Sequence, residues 1–511
     1  MDKDKNYHII RKEILPNEKI CSYFDEICSK SNNLYNVTNY YIRQLYIGTK
    51  KRNNNQQLTP NEQDVFDIVT NALPLLDEIS VNNIRTKISK LEKTLLLNHE
   101  DKKVLEELEQ YKEKLLKLKP HSLPKSGFPS YSLLDGVFKV TNNVDYRALP
   151  VQVAQQTMRQ CFTDWKNFFE SVKKYKANPS RFTGKPNIPG YKKSGSKFNA
   201  IFTNQTSGFN FNKEQCSLWL TFCDEEISFG SYVKETDILQ QVEIAPFYDR
   251  YKVSLILQDK EYSEKECKPT RIMGIDLGVN NFATISNNIG MNPIIIKGGM
   301  LKSRNQYFNK TRACYLSKLQ KGKDSSHNQK NLKKLYVLSK NRDNFFRDSF
   351  YKIAHRIVKI ALENKIDTIV IGNNIQNMKQ NIDIGKTNNQ NFVSIPYCLF
   401  IKILRYLCLK NSIQFIETEE SYTSKSSLLD NDILPVYDDS NTNEYKFSGK
   451  RISRGLYQSK EGIILNADVN GASNIIRKID ITAFANLDLT YLQNITVLSF
   501  KDFYKGMKVL I

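Results

Sequence analysis

The hydrophobic positions change their period several times along the chain, and each change marks a different architecture. Residues 7–15, YHIIRKEIL, alternate and predict a strand. Pro16 and Asn17 then open a helix with Ile20, Phe24, Ile27, Leu34 and Tyr35 at helical spacing. SNNLYNVTNYYIRQLYIG continues it, with aromatics on one side and Arg43 and Gln44 among them. A helical stretch follows from about Glu62 to Leu118. Its end has leucines near heptad spacing and dense charge, and predicts an antiparallel helical hairpin turning near Asn98–Asp101. Residues 119–145, with Pro120, Pro124, Gly127 and Pro129, read as a loop, and 149–176 as an amphipathic helix.

The stretch ANPSRFTGKPNIPGYKKSGSKF mixes Pro and Gly with basic residues, Phe182 and Tyr191. Such a loop cannot bury itself but suits a phosphate backbone. From about 199 to 258 the short runs AIFTNQ, GFNF, SLWLTF, QVEIAPF and YKVSLIL predict a small antiparallel barrel or sheet. From Arg271 the order becomes strand, turn, strand (RIMGIDLGVNNFATISNN) and a third strand (PIIIKG). A helical segment rich in Lys and Arg follows, then a helix over 343–364, the strand TIVIG, the helix PYCLFIKILRYLCLKN and the strand IQFIETEE. Three consecutive strands followed by helix–strand alternation predict a mixed α/β sheet of the ribonuclease H type.

Length and charge narrow the class. A chain of 511 residues exceeds one ordinary domain. Lys and Arg number 75 against 54 acids, a formal charge of +21, which favours a polyanionic partner. No apolar run is long enough to span a membrane and the N-terminus lacks a signal-peptide core, so a cytoplasmic, nucleoid-associated location is expected. The nine cysteines form no CxxC pair and read as reduced core thiols.

Metal-dependent phosphodiester cleavage needs carboxylates converging from several elements. Asp276 ends an apolar strand in GIDLGVNNFAT; a turn aspartate reads the same way. Asp468 opens a helix in LNADVNGASNIIRK, where Gly471 and Ala472 permit close packing on the sheet; an N-cap aspartate is the ordinary alternative. The strand TIVIG ends at Gly372, and Asn373 and Asn374 follow it with no acid. The next strand ends in Glu417, Glu419 and Glu420, which a merely solvated strand end would also show.

GIDLGVNNFAT, EESYTSKSSLLDNDILPVY, FSGKRISRGLY and NADVNGASNIIRK, in that order, resemble the RuvC-like nuclease of TnpB proteins, transposon-encoded RNA-guided nucleases related to type V CRISPR effectors and to eukaryotic Fanzor. Upstream, NNLYNVTNYYIRQ, the 149–192 stretch and IFTNQ look like the family's recognition and wedge regions, so the resemblance covers roughly 7–47 and 149–480. It implies a first wedge strand over 1–16, a helical recognition lobe over 17–178 with a hairpin insertion at about 86–118, and a wedge β-barrel over 179–268. RuvC-like parts over 269–422 and 466–511 then flank a nucleic-acid-binding insert over 423–465. It implies an endonuclease guided by a transposon-end RNA or CRISPR RNA, cutting double-stranded DNA beside a short motif the protein reads.

Asp276 then matches the first acid and Asp468 the last, holding two magnesium ions, with manganese as a substitute. The middle acid departs from the usual position, where Asn373 stands. The resemblance to a subset with a relocated acid assigns it to Glu420, with Glu419 as the fallback because it faces away in an extended strand. A second departure is the zinc ribbon: residues 424–467 hold no cysteine, so no zinc is expected. Arg43, Lys185, Lys192, Lys193, Lys302, Arg304, Lys310, Arg312, Lys450, Arg451 and Arg454 are the expected nucleic-acid contacts. A nuclease-inactive RNA-guided repressor and a ribonuclease H-class transposase acting without RNA stay open.

Overall fold

The alternation at the start of the chain forms β1 (Asn6–Ile14), which pairs antiparallel with a distant strand, Ile9 opposite Ile256. The computed structural model describes residues 6–97, 102–213, 215–259, 268–321, 325–372, 395–436, 445–453 and 455–503. The chain divides into two units, 1–259 and 260–511. Asn98–Asp101, Asn373, Asn374 and Arg454, named above, lie outside the described residues, as do Cys267 and Asp324.

In the first unit the helical period at 20–47 becomes one long helix, α1 (Cys21–Asn53), burying Phe24, Ile27, Leu34, Tyr35, Ile42 and Leu45. The hairpin is α2 (Pro60–Leu97) against α3 (Lys102–Leu116). Leu91 and Leu108 are buried, and Lys87–Glu107 and Lys112–Glu92 bridge the exposed sides at 3.3 and 3.2 Å. The loop expected over 119–145 is corrected: it contains α4 (Tyr131–Val140) and the short α5 (Val144–Arg147). Ser130 caps α4 by accepting the Leu133 N–H at 3.1 Å, and Leu133, Leu134, Val137 and Phe138 are buried. Gly136 disguised this helix in the sequence; it is there because a side chain would come within 2.8 Å of Leu76. α6 (Val151–Ala177) brings Trp165 into the same core.

The strands that follow are antiparallel, as expected, and are arranged in two hydrogen-bonded sheets. β2 (Ala200–Thr203), β6 (Ile238–Phe247) and β7 (Arg250–Asp259) join β1 in the order β1-β7-β6-β2. β3 (Ser207–Asn212), β4 (Gln215–Leu220) and β5 (Ile227–Gly230) form the other.

The asparagines of NNLYNVTNYYIR have a structural role. Asn32 donates to the Lys193 carbonyl at 3.1 Å, and Asn36 exchanges two hydrogen bonds with the Lys192 backbone. Asn39 donates to the Pro189 and Gly190 carbonyls and accepts the Trp165 indole N–H at 2.8 Å. These residues pin the Pro/Gly loop along α1, satisfying backbone groups that the loop cannot pair internally.

The second unit carries the ribonuclease H-type sheet. β8 (Ile272–Leu277), β9 (Asn281–Asn287) and β10 (Ile294–Lys297) form the antiparallel meander. α7 (Gly299–Lys321) and α8 (Ser325–Glu363) follow, α8 starting earlier than the helix expected from 343. β11 (Thr368–Gly372), α9 (Tyr397–Lys410) and β12 (Gln414–Thr418) complete the alternation. β13 (Lys450–Ser453), β14 (Leu456–Gln458) and β15 (Ile464–Asn466) make a small antiparallel sheet leading into α10 (Ala467–Arg477). A short β16 (Thr496–Leu498), absent from the sequence reading, pairs parallel with β10. The large sheet runs β12-β11-β8-β9-β10-β16, with β8, β11 and β12 parallel.

Alternation along the central strands assigns the two faces. Met273, Ile275, Ile369 and Ile371 pack with the α8 and α9 core. Ile272 and Val370 pack with Val469, Ile475 and Ile476 of α10. Asp276 and Gly372 share the parity of the α10 face. The cysteine expectation holds for Cys21, Cys28, Cys161, Cys216 and Cys408, which are buried; Cys314 and Cys398 are exposed.

Replacing Asn39 with Ala strands the Trp165 N–H and two carbonyls. The expected loss is about 2 kcal/mol, read as a fall in the urea midpoint at unchanged slope.

Candidate active site

The site is built where α10 crosses the C-terminal ends of the parallel strands. The approach is close because two glycines allow it. A Cβ on Gly274 of β8 would overlap the Ala472 carbonyl, and one on Gly471 of α10 would lie 3.1 Å from Asp276 Oδ2. Asn466 caps the helix, its Oδ1 accepting the N–H groups of Asp468 at 2.9 Å and Val469 at 3.2 Å. Asp468 is therefore not the cap. Its carboxylate projects from the first turn, where the helix dipole favours negative charge.

The acids after β12 separate by partner. Glu417 pairs with Arg405. Glu419 pairs with Lys478 Nζ at 2.8 Å; burial opposes its ionisation, but Lys478 and the Ser421 N–H prevail and hold the carboxyl below its usual range. Glu420 turns to the sheet. A Cβ on Gly372 would overlap its Oε2 and lie 3.2 Å from its Cβ. Gly372 thus leaves the space that Glu420 fills. Asp367, at the other end of β11, is structural: it accepts the Arg271 N–H at 2.9 Å and clamps the strand to the start of β8.

The two neighbours act on Asp276. Desolvation, then the charges of Glu420 and Asp468, push its carboxyl well above the usual range, and Arg451 offsets only part of this. Asp468 accepts from Asn281 Nδ2 at 2.7 Å and faces Arg451 Nη2 at 3.5 Å. Lys297 holds Asn281 from behind through its Oδ1 at 2.9 Å. Asp468, Asn281, Lys297 and Arg451, with Gly278, Asn280, Gly455 and Asn466, line an open cleft of about 620 Å³.

Among the described residues, no three His, Cys, Asp or Glu side chains are close enough to hold an ion unaided. The donor chemistry nevertheless fits a hard divalent cation. All three acids offer oxygen, and a cation would relieve both the desolvation of the Asp276 carboxylate and the charge of Glu420 and Asp468 beside it.

The residues that place Glu420 escaped the sequence reading. Asn470, fully buried, accepts the Leu428 N–H at 3.0 Å and donates to the Ser426 carbonyl at 2.8 Å. Asn474 donates to the carbonyls of Thr423 and Ser426 at 2.9 and 2.8 Å. Arg477, 4% exposed, reaches the Asp432 carbonyl at 2.9 Å. These three stitch the segment after Glu420 onto α10. The insert is held by carboxylates: Asp432 accepts the Ser427 and Ser448 N–H groups, and Asp430 accepts the Lys460 N–H at 2.9 Å. Polar spacing at i, i+4 and i+7 on α10 was the available signal.

The basic residues divide. Arg43 donates to the Pro189 carbonyl at 2.7 Å and lies over the Tyr191 ring. Lys192 lies over Tyr35, so both support the loop. Lys185 and Lys193 are exposed on that loop. Lys302 donates to Asn280 Oδ1 at 3.2 Å beside the cleft, and Arg304 lies over Phe345. Lys310, Arg312 and Lys450 are exposed, while Arg451 faces Asp468.

The ribonuclease H-type sheet and its acid-lined edge define a RuvC-like chain. Residues 251–378 match the family model OrfB_IS605, described as a probable transposase. No curated protein matches the sequence. Among similar solved structures, a Cas12f1–sgRNA–target DNA complex is 13% identical, with 93% of this chain and 99% of that one covered at a TM-score of 0.46. A CRISPR-Cas12f ternary complex is 15% identical over 79% and 81% at 0.30. Alicyclobacillus acidoterrestris C2c1 with single-guide RNA is 9% identical over 85% and 73% at 0.29.

A carboxyl whose folded pKa is raised contributes stability that is present at low pH and lost as pH rises through that folded value. The metal-free protein should therefore lose stability as pH climbs above the usual carboxylate range. Asp276→Asn should flatten that fall and raise the melting temperature near neutrality, as read by thermal unfolding at several pH values.

Proposed function

We propose that this chain is an RNA-guided DNA endonuclease that hydrolyses target strands at one acidic site, beside a short motif it reads in the target. The observation that carries this reading is that Glu420 and Asp468, from two other elements, both bear electrostatically on the buried Asp276 near the end of the parallel strands. Asp276, Glu420 and Asp468 would hold two magnesium ions, or manganese in their place, and such ions supply an activated water and a Lewis acid for the leaving oxygen. Asn281 orients Asp468, and Lys297 fixes the amide of Asn281. Arg451 presents a guanidinium beside Asp468, suited to a phosphate oxygen entering the cleft. Gly372 keeps the Glu420 carboxylate against the sheet.

What supports guidance by RNA is the order of the four motifs, the match over 251–378 and the charge of +21. Base pairing would supply sequence specificity, and the protein would hold the heteroduplex by its backbone. One observation favours a second reading: the matching family is described as a probable transposase, and strand transfer without RNA uses the same acidic trio.

The chain purified with its RNA should cut DNA matching that RNA in magnesium. Asp276→Ala and Glu420→Ala should abolish cutting, and Glu419→Ala should retain it. Gly372→Ala, by displacing Glu420, should slow cutting about a hundredfold without unfolding the protein. Cutting that survives Asp276→Ala would overturn the assignment, and activity that survives RNase would favour the strand transferase.

A further inference from the structure

Away from the acidic edge, α7 and α8 pack together and leave a groove of about 460 Å³. Tyr307 and Tyr315 line it from α7, and Lys330, Lys333, Lys334 and Val337 from α8. The α8 residues recur at i, i+3, i+4 and i+7, so one helical face is committed to the groove. Tyr307 and Tyr315 stand eight residues apart, about 12 Å along α7. Tyr307 is 56% exposed, too open for a core residue. None of the three lysines makes an ion pair among the described residues. The described residues of 299–342 include no Asp or Glu, whereas Lys302, Arg304, Lys310, Arg312, Lys318 and Lys340 add to the charge. A solubilising surface normally intersperses both signs. A basic groove with one open phenol ring, Tyr307, and a second half-buried one, Tyr315, has the chemistry of a single-strand platform, with cations for phosphates and π-faces for unpaired bases.

We propose that the α7–α8 groove binds single-stranded nucleic acid, with Lys330, Lys333 and Lys334 on phosphates and Tyr307 and Tyr315 stacked on bases. A duplex hides its base faces and would use the lysines alone. The proposal rests on the reading above only for the source of the strand, an unpaired part of the guide RNA or the displaced DNA strand.

The test uses the full chain freed of co-purified RNA and fluorescent oligonucleotides of single-stranded RNA, single-stranded DNA and duplex RNA, titrated at several salt concentrations. Joint replacement Tyr307→Ala and Tyr315→Ala should weaken single-strand binding about tenfold or more while leaving the salt slope and duplex binding unchanged. Tyr307→Phe with Tyr315→Phe should retain binding and show that the fold tolerates change there. Joint Lys330→Gln, Lys333→Gln and Lys334→Gln should lower the salt slope by about two. A larger tyrosine effect on RNA assigns the guide, and a larger effect on DNA assigns the displaced strand. Unchanged single-strand binding in the tyrosine variant, or equal weakening of duplex binding, would overturn the proposal. Binding is read without cleavage, so an Asp276→Asn protein that keeps tyrosine-dependent binding and still cuts would sink the assignment of Asp276 to the cutting site alone.

Discussion

The candidate site depends on how closely α10 lies against β8. Any side chain on Gly274 would meet the Ala472 carbonyl, and any on Gly471 would crowd the Asp276 carboxylate. At this spacing Asp276 is desolvated beside two other acids, an arrangement that opposes folding unless a cation is supplied. The protein accepts the repulsion at this one edge and offsets it elsewhere, as strained functional sites generally do. Asn281 and Arg451 partner Asp468, and Arg451 also offsets part of the repulsion at Asp276.

The same helix face solves a second problem. Glu420 follows the end of β12, where a chain would ordinarily fray into solvent. Asn470, Asn474 and Arg477 supply the hydrogen bonds that the irregular backbone of 423–432 cannot make with itself. In a buried setting such a network is costly to break, so it fixes the loop and with it the acid. One short helix therefore carries Asp468, contacts Asp276 and anchors the segment that begins at Glu420.

Much of this was legible in the sequence, for identifiable reasons. Five of the six strands of the large sheet are apolar runs bounded by turns, and the sequence pattern locates them. Asp276 and Asp468 stand out because each sits where an apolar element begins or ends. Glu420 was reached through the family resemblance and strand parity together. α4 was hidden by the prolines before it and by Gly136 within it. Arg43 and Lys192 look like nucleic-acid contacts in sequence because a basic side chain reads the same whether it meets a carbonyl, as Arg43 does, an aromatic ring, as Lys192 does, or a phosphate. The asparagines of α1 and α10 were passed over because buried polar residues are uncommon, and their partners are loop carbonyls far away in sequence.

The central claim is that Glu420, with Asp276 and Asp468, forms a cation site that Glu419 does not share. Thermal unfolding of the purified chain with and without manganese tests it without any nucleic acid. The melting temperature of the wild-type chain and of Glu419→Gln should rise with added manganese, and that of Glu420→Gln should not. Equal manganese stabilisation of the Glu420→Gln and wild-type chains would contradict the account.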